Sequence, residues 1–267
     1  MNVRPAVTAA DCTAFEATRG AGTLLAIDSC GSRPGVALWD GSASPQVEHL
    51  EERPPRVEGL AACVQRLLDG GHREVSSITG LAVLTGPGSY TGLRTGLAFV
   101  RGLALLDALP VAPVSALERL AFCAGGEGER VISVWRSSRD QVVAAAYQIR
   151  DGLVLPSDSE EAVEGAQLAG FALRCAAGNP GPWVLAVEHD QAVEVGPLLT
   201  EMIDGAQLER RVVDSQTIEA LARLGYARCA RGLGLSADVV LPDYFGTSLP
   251  RSNRNRVAAP FLVELTR

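Results

Sequence analysis

The chain has 267 residues, is 47% hydrophobic and carries a formal net charge of −7, with an isoelectric point near 5.1. That length suits one large or two modest domains, each able to bury a core. The acidic balance excludes a protein that holds a phosphate backbone by its own overall charge, because such binding needs a basic footprint.

All 24 basic residues are arginine. A P-loop lysine, a Schiff-base lysine and a serine–lysine pair are therefore excluded. The cysteines, at positions 12, 30, 63, 123, 175 and 229, form no C-x-x-C pair. They read as reduced, buried thiols, with Cys63 and Cys123 inside apolar stretches. No apolar run approaches the ~20 residues needed to span a bilayer, and no apolar leader segment is visible. A cytoplasmic protein with no membrane contact is expected.

Residues 1–22 are small and polar, without period, and read as a mobile extension dispensable for folding. Order is expected from Thr23. Thr23–Asp28 and Gly35–Trp39 are short apolar runs joined by turn residues, and Asp40-Gly41 signals a hairpin. A weaker strand is expected around 46–50. Val57, Leu60, Ala61, Val64, Leu67 and Leu68 fall on one face of a helix that Gly70-Gly71 stops. A strand over 78–85, a helix over 91–107, a strand over 110–114 and a further helix ending at Gly125-Gly126 complete the first half. The second half restarts with strands at 130–135 and 141–149, a short strand after Asp151-Gly152, another at 183–188, and a helix from Ser215 or Thr217 to Arg231. Glu160-Glu161 reads as a solvated helix start. The expected organisation is an extension over 1–22, one domain over 23–129 and a second over 130–267. Strands leading into helical crossovers predict α/β architecture with mixed sheets flanked by helices. Two such halves resemble the duplicated actin-like ATPase (ribonuclease H-like) fold.

The most distinctive segment runs Gly86-Pro87-Gly88-Ser89-Tyr90-Thr91-Gly92-Leu93-Arg94-Thr95-Gly96. It lacks the lysine of a Walker A loop, its glycines miss G-x-G-x-x-G spacing by one residue, and Pro87 breaks G-x-S-x-G. Uncovered backbone and a following helix N-terminus make Gly86, Gly88, Ser89 and Thr91 candidate anion- or nucleotide-binding residues. The alternative is a turn that simply packs its helix closely. Asp28 has two readings also: a metal- and phosphate-holding aspartate, as at this place in actin-like ATPases, or a turn-capping side chain. In the helix, Gly92, Gly96, Phe99 and Leu103 share one face, while Leu93, Leu97, Val100 and Ala104 form a second stripe. Covering a sheet needs one stripe. The glycine-bearing one, with Gly59, Ala62 and Cys63 of the preceding helix, is expected to form an exposed interface, so that Gly96→Leu would leave the monomer folded and weaken association. The alternative buries both stripes within one domain. Arg94 and Arg101 read as solvated or rim residues, with an interface salt bridge as the alternative. His49, His72 and His189 are isolated, and none has a histidine one helical turn away.

These motifs, with Arg101-Gly102-Leu103-Ala104, then Pro110 and Val114-Ser115-x-Leu117-Glu118, resemble the signature of the TsaB (YeaZ) family. The start, Leu25-Ala26-Ile27-Asp28 through Val36-Ala37-Leu38, is similar to the family's first hairpin. The resemblance covers 24–121 strongly and fades afterwards. Departures are Arg56 where the family has a nearby histidine, Arg136–Asp140 where it has Asp-Ala-Arg, and Pro242-Asp243-Tyr244 in place of Pro-x-Tyr-Leu-Arg. The resemblance implies the duplicated actin-like fold and a non-catalytic scaffold that pairs with a TsaD-like catalytic subunit through the two helices. With an ATPase partner, that complex transfers threonylcarbamoyl to the tRNA adenosine beside the anticodon. It also implies a homodimer when alone, tRNA contact only through the complex, no cofactor of its own, and any nucleotide held at the complex interface. The alternative is a free-standing actin-like ATP-dependent phosphotransferase. The isolated chain is expected to hydrolyse neither ATP nor peptides.

Overall fold

The computed structural model describes residues 22–51, 57–137, 141–150, 153–157, 161–178, 182–192, 195, 208–213 and 218–245. Apart from Gly22, the expected extension lies outside them, as do Arg56, Arg139 and Asp140. The elements are β1 (Thr23–Asp28), β2 (Gly35–Trp39), β3 (Gln46–His49), α1 (Val57–Gly70), β4 (Ile78–Gly86), α2 (Tyr90–Asp107), β5 (Val111–Ser115) and α3 (Ala116–Ala124), followed by β6 (Arg130–Arg136), β7 (Gln141–Arg150), β8 (Leu153–Pro156), β9 (Glu161–Glu164), α4 (Leu168–Gly178), β10 (Trp183–Glu188), β11 (Leu208–Val213) and α5 (Ile218–Ala230).

Two five-strand paths repeat one topology. The first sheet runs β3-β2-β1-β4-β5; the second runs β11-β10-β6-β7-β8, with β9 also paired to β7. In each, two antiparallel pairings follow the first strand, then two parallel strands add on its other side. Parallel strands need crossover connections, and helices α1 and α2 supply them in the first sheet. This is the duplicated actin-like arrangement.

Two compact units result, divided otherwise than the expected boundary at 129/130. The first joins the described residues through Ser115 to Ile218–Pro242; the second takes the described residues from Ala116 to Val213, with 243–245. Gly125-Gly126 punctuates the sequence, but α3 already packs on β6, β7 and β10 of the second unit. Conversely, α5 packs on β1, β2, β4 and β5 of the first.

In the first unit, Leu25, Ile27, Val36, Leu38, Leu81 and Val83 pack with Leu60, Cys63, Val64, Leu67 and Leu68 of α1 and Leu97, Val100 and Ala104 of α2. The α1 stripe read from the sequence is the buried one, except that Val57 and Ala61 are exposed. On the opposite face α5 comes very close: a Cβ at Gly225 would overlap the Ala82 methyl and lie 3.2 Å from Leu24. The edge strand β5 is blunted by Pro113, whose carbonyl accepts from Arg228, and by an antiparallel bridge from Val111 to Leu235. In the second unit, Ile132, Val134, Ala144, Trp183, Leu185 and Val187 pack against Leu168 and Phe171 of α4. Glu161 opens β9, a strand and not the expected helix. Cys30, Cys63, Cys175 and Cys229 are buried, whereas Cys123 is exposed, because α3 turns it away from its sheet. Burial pushes the Cys229 thiol up to about 12.

Candidate functional site

The β1–β2 turn and the β4–α2 loop come together at the ends of two neighbouring parallel strands. Asp28 is 1% exposed, and its Oδ1 accepts the backbone N–H groups of Cys30 at 3.0 Å and Gly31 at 2.8 Å. That is the turn-capping geometry. Ser89 is the N-cap of α2: its hydroxyl oxygen accepts the Gly92 N–H at 3.3 Å. The Ser89 N–H is in turn given to the Cys30 carbonyl at 3.0 Å. Gly86 has φ of +125°, a backbone that only glycine adopts readily. A Cβ at Gly88 would press on Cys30, 2.7 Å from its carbonyl oxygen. Thr91 is exposed. Of the candidate anion-binding residues, Asp28, Gly86, Gly88 and Ser89 are thus brought together, and the N–H donors of Cys30, Gly31, Ser89 and Gly92 are taken by the protein itself.

The interface expectation needs correction at three positions. Gly92 and Gly96 are buried and face their own unit: a Cβ at Gly92 would overlap the Ser29 carbonyl, and one at Gly96 would overlap the Ser29 hydroxyl. Cys63 lies in the core under α1, where burial raises its pKa. Phe99 and Leu103 are partly buried against the same core, and Gly59 is half-buried against Leu50. Ala62 is exposed. The physical reason is that α2 carries three stripes. The glycines admit the β1–β2 turn, the leucine and valine stripe covers the sheet, and a third face points outward. That outward face holds Arg94, Ala98, Arg101, Gly102 and Leu105. Leu105 is 86% exposed, and Gly102 has open space around it. On α1 the outward residues include Ala61, Ala62 and Gln65.

Both arginines on this face are engaged. Arg94 lies over the Tyr90 ring and donates to its hydroxyl at 3.0 Å. Arg101 donates to the carbonyls of Ala237 at 3.2 Å and Val240 at 2.8 Å, clasping the segment after α5. That segment exposes Val239 and Leu241.

Two buried charged groups went unread in the sequence. Arg119 of α3 and Glu188 at the end of β10 form an ion pair of 3.1 Å, each side chain 1% exposed. The signal was available: Glu188 ends an otherwise apolar strand, much as Asp28 follows the apolar run Leu24–Ile27. At the far end of β2, Asp40 is held well below the usual carboxylate range, first by the Ser42 hydroxyl and then by the Arg73 guanidinium. His49, at the end of β3, is pushed down by burial and by nearby Arg33. Among the described residues, no group of three or more His, Cys, Asp or Glu side chains is placed to hold a metal ion, and no helix is long and apolar enough to cross a membrane.

The repeated sheet order defines a duplicated actin-like protein whose first unit presents a small-residue helix surface. A family model described as TsaD, tRNA N6-adenosine threonylcarbamoyltransferase, matches residues 56–194. The chain is 33% identical over 144 residues to the Escherichia coli tRNA threonylcarbamoyladenosine biosynthesis protein TsaB, a match covering 52% of this chain and 61% of that protein. The Bacillus subtilis TsaB is 33% identical over 135 residues, covering 49% of this chain and 58% of that one. The matches thus span about three fifths of these relatives. Among solved structures, YeaZ from Pseudomonas aeruginosa superposes with a TM-score of 0.63 at 26% identity, over 84% of this chain and 100% of that one. A second P. aeruginosa protein, described as similar to peptidase YEAZ, gives 0.67 at 25%, with the same coverage. The chain belongs to the TsaD family, on its TsaB (YeaZ) branch.

Proposed function

We propose that this chain serves tRNA threonylcarbamoyladenosine biosynthesis as a non-catalytic subunit. It pairs with a TsaD-like catalytic subunit, in a complex that includes an ATPase partner and works in the cytoplasm. The observation that carries this reading is the outward face of α2, where Ala98, Gly102 and the 86%-exposed Leu105 are open to solvent, as are Ala61 and Ala62 of α1, the helix in contact with it. Small residues let a facing helix approach, and an exposed leucine supplies apolar area to bury. Supporting it, Asp28 is committed to its own turn. The net charge of −7 leaves tRNA binding to other subunits. Alone, the same face pairs two copies.

Reconstitution tests this. The chain is mixed with a TsaD-like enzyme and an ATPase partner from the same organism, and threonylcarbamoylated adenosine in tRNA is measured by mass spectrometry. Product is expected only when the chain is present, and the chain alone should turn over ATP at less than ~1 s⁻¹, near the low end of ordinary enzymes. Equal product without the chain, or faster ATP turnover by the chain alone that survives repurification, would refute the proposal.

A further inference from the structure

We infer that Ser29, a buried residue of the β1–β2 turn, is a positioning residue for the outward face of α2. The inference rests on the proposed pairing through that face, but its observations lie on the opposite side of the helix. Ser29 is 3% exposed, and its hydroxyl donates to the Gly92 carbonyl at 2.7 Å. Its own carbonyl sits where a Gly92 Cβ would be, and its hydroxyl where a Gly96 Cβ would be. The next residue extends the contact, since the Cys30 carbonyl accepts the Ser89 N–H. The turn is therefore keyed into α2 at Ser89, Gly92 and Gly96, along two helical turns, with no clearance for one methyl group at either glycine.

A helix moves as a rod, and packed interiors transmit displacement instead of absorbing it. Whatever sets the distance between Ser29 and Gly96 thus sets how far Ala98 and Gly102 stand out from the sheet. Ala98 and Gly102 lie on the other side of the helix within two turns of Gly96, so they share its displacement. The glycines are not themselves a site. They are the recess that lets a serine on a neighbouring turn fix the position of a surface it never touches.

The test is a pair of substitutions that create and then relieve one overlap. In Gly96→Ala the new methyl meets the Ser29 hydroxyl. Ser29→Ala removes that hydroxyl and leaves only the Ser29 Cβ, 3.3 Å from the added methyl, a contact that yields by a few tenths of an ångström. Association with the TsaD-like subunit is measured by sedimentation, and α2 amide protection by hydrogen–deuterium exchange, on full-length folded protein. Gly96→Ala should weaken association about tenfold and lower protection in the first two turns of α2. The double variant should return both to within about threefold of Ser29→Ala alone. Gly96→Ala with wild-type association and wild-type protection overturns the positioning role, as does a double variant that stays as weak as Gly96→Ala. Gly102→Leu, on the outward face, separates the two ideas. If it abolishes pairing while Gly96→Ala does not alter it, the pairing surface stands and the role of Ser29 falls. If neither affects a measurable association, the surface itself is wrong and both fall.

Discussion

A carboxylate that ends a wholly buried strand meets two fates in this chain. Asp28 turns back onto two backbone N–H groups, whereas Glu188 meets the Arg119 guanidinium inside the second unit. The second arrangement is the more fragile. Removing one member of a buried pair typically costs about 3–5 kcal/mol, while replacing both with apolar side chains is often neutral. Glu188→Gln is therefore expected to lower unfolding free energy in urea by about 3 kcal/mol or more. The double variant Arg119→Met, Glu188→Leu should cost much less than the two single losses combined; additive losses would show that the pair is not coupled. Asp40 gives a pH dependence. Its folded pKa lies below its unfolded value, owing first to the Ser42 hydroxyl and then to Arg73. Its contribution is thus present above the unfolded carboxylate pKa and is lost as pH falls through the acid range. Thermal midpoints of wild type and Asp40→Asn should differ at pH 6 and converge towards pH 2. A constant difference across that range would assign the effect to lost hydrogen bonding alone.

Elements buried on both faces were legible in the sequence, because their residues are uniformly apolar. β1, β2 and β10 have the bounds that their apolar runs predicted. β11 (Leu-Glu-Arg-Arg-Val-Val) was not legible, since an edge strand carries charge on its open side. α4 was missed for the opposite reason: Leu168–Gly178 is apolar and small nearly all round and shows no clear period. On α2 the stripes were visible but their order was not. The leucine and valine stripe covers the home sheet, as the helical wheel indicated, but what the glycine stripe meets lay in the Ser29–Cys30 turn, more than sixty residues earlier in the chain. The correction changes what substitutions do. Gly96→Leu, expected from the sequence to spare the fold, should instead overpack the turn and destabilise by about 1–3 kcal/mol or more. Gly102, with open space around it, should behave in the opposite way. Gly102→Ala is predicted to raise unfolding free energy by about 0.5–1 kcal/mol, the ordinary helix-propensity gain. Urea titration of both variants checks the assignment, and stabilisation by Gly96→Leu would reverse it.

At the scale of the whole molecule, the chain builds one sheet topology twice and exchanges helices between the copies. α3 follows the last strand of the first sheet but packs on the second, and α5 follows the last strand of the second but packs on the first. The first unit is thus completed only when the chain returns at Ile218. The same return brings Val239 and Leu241, held by Arg101, to join Leu105 as exposed apolar side chains of that unit. Because Leu105 is 86% exposed, its replacement should change folding stability by no more than about 0.5 kcal/mol, the usual range for surface positions. If it is buried on pairing, its loss removes about 1.5–3 kcal/mol of apolar burial, and an arginine there adds a charge to be desolvated. Leu105→Arg is therefore predicted to weaken association with the TsaD-like subunit by at least ~1.4 kcal/mol, a factor of ten, with an unchanged urea midpoint. Leu173→Arg is the control: it alters an exposed leucine of the second unit, on α4, and should leave association as it was. Sedimentation of the three proteins at matched concentrations reads the result. Equal association for Leu105→Arg and wild type would place the partner on another face, and equal weakening by Leu173→Arg would show that added charge, not the α2 surface, is what the partner senses.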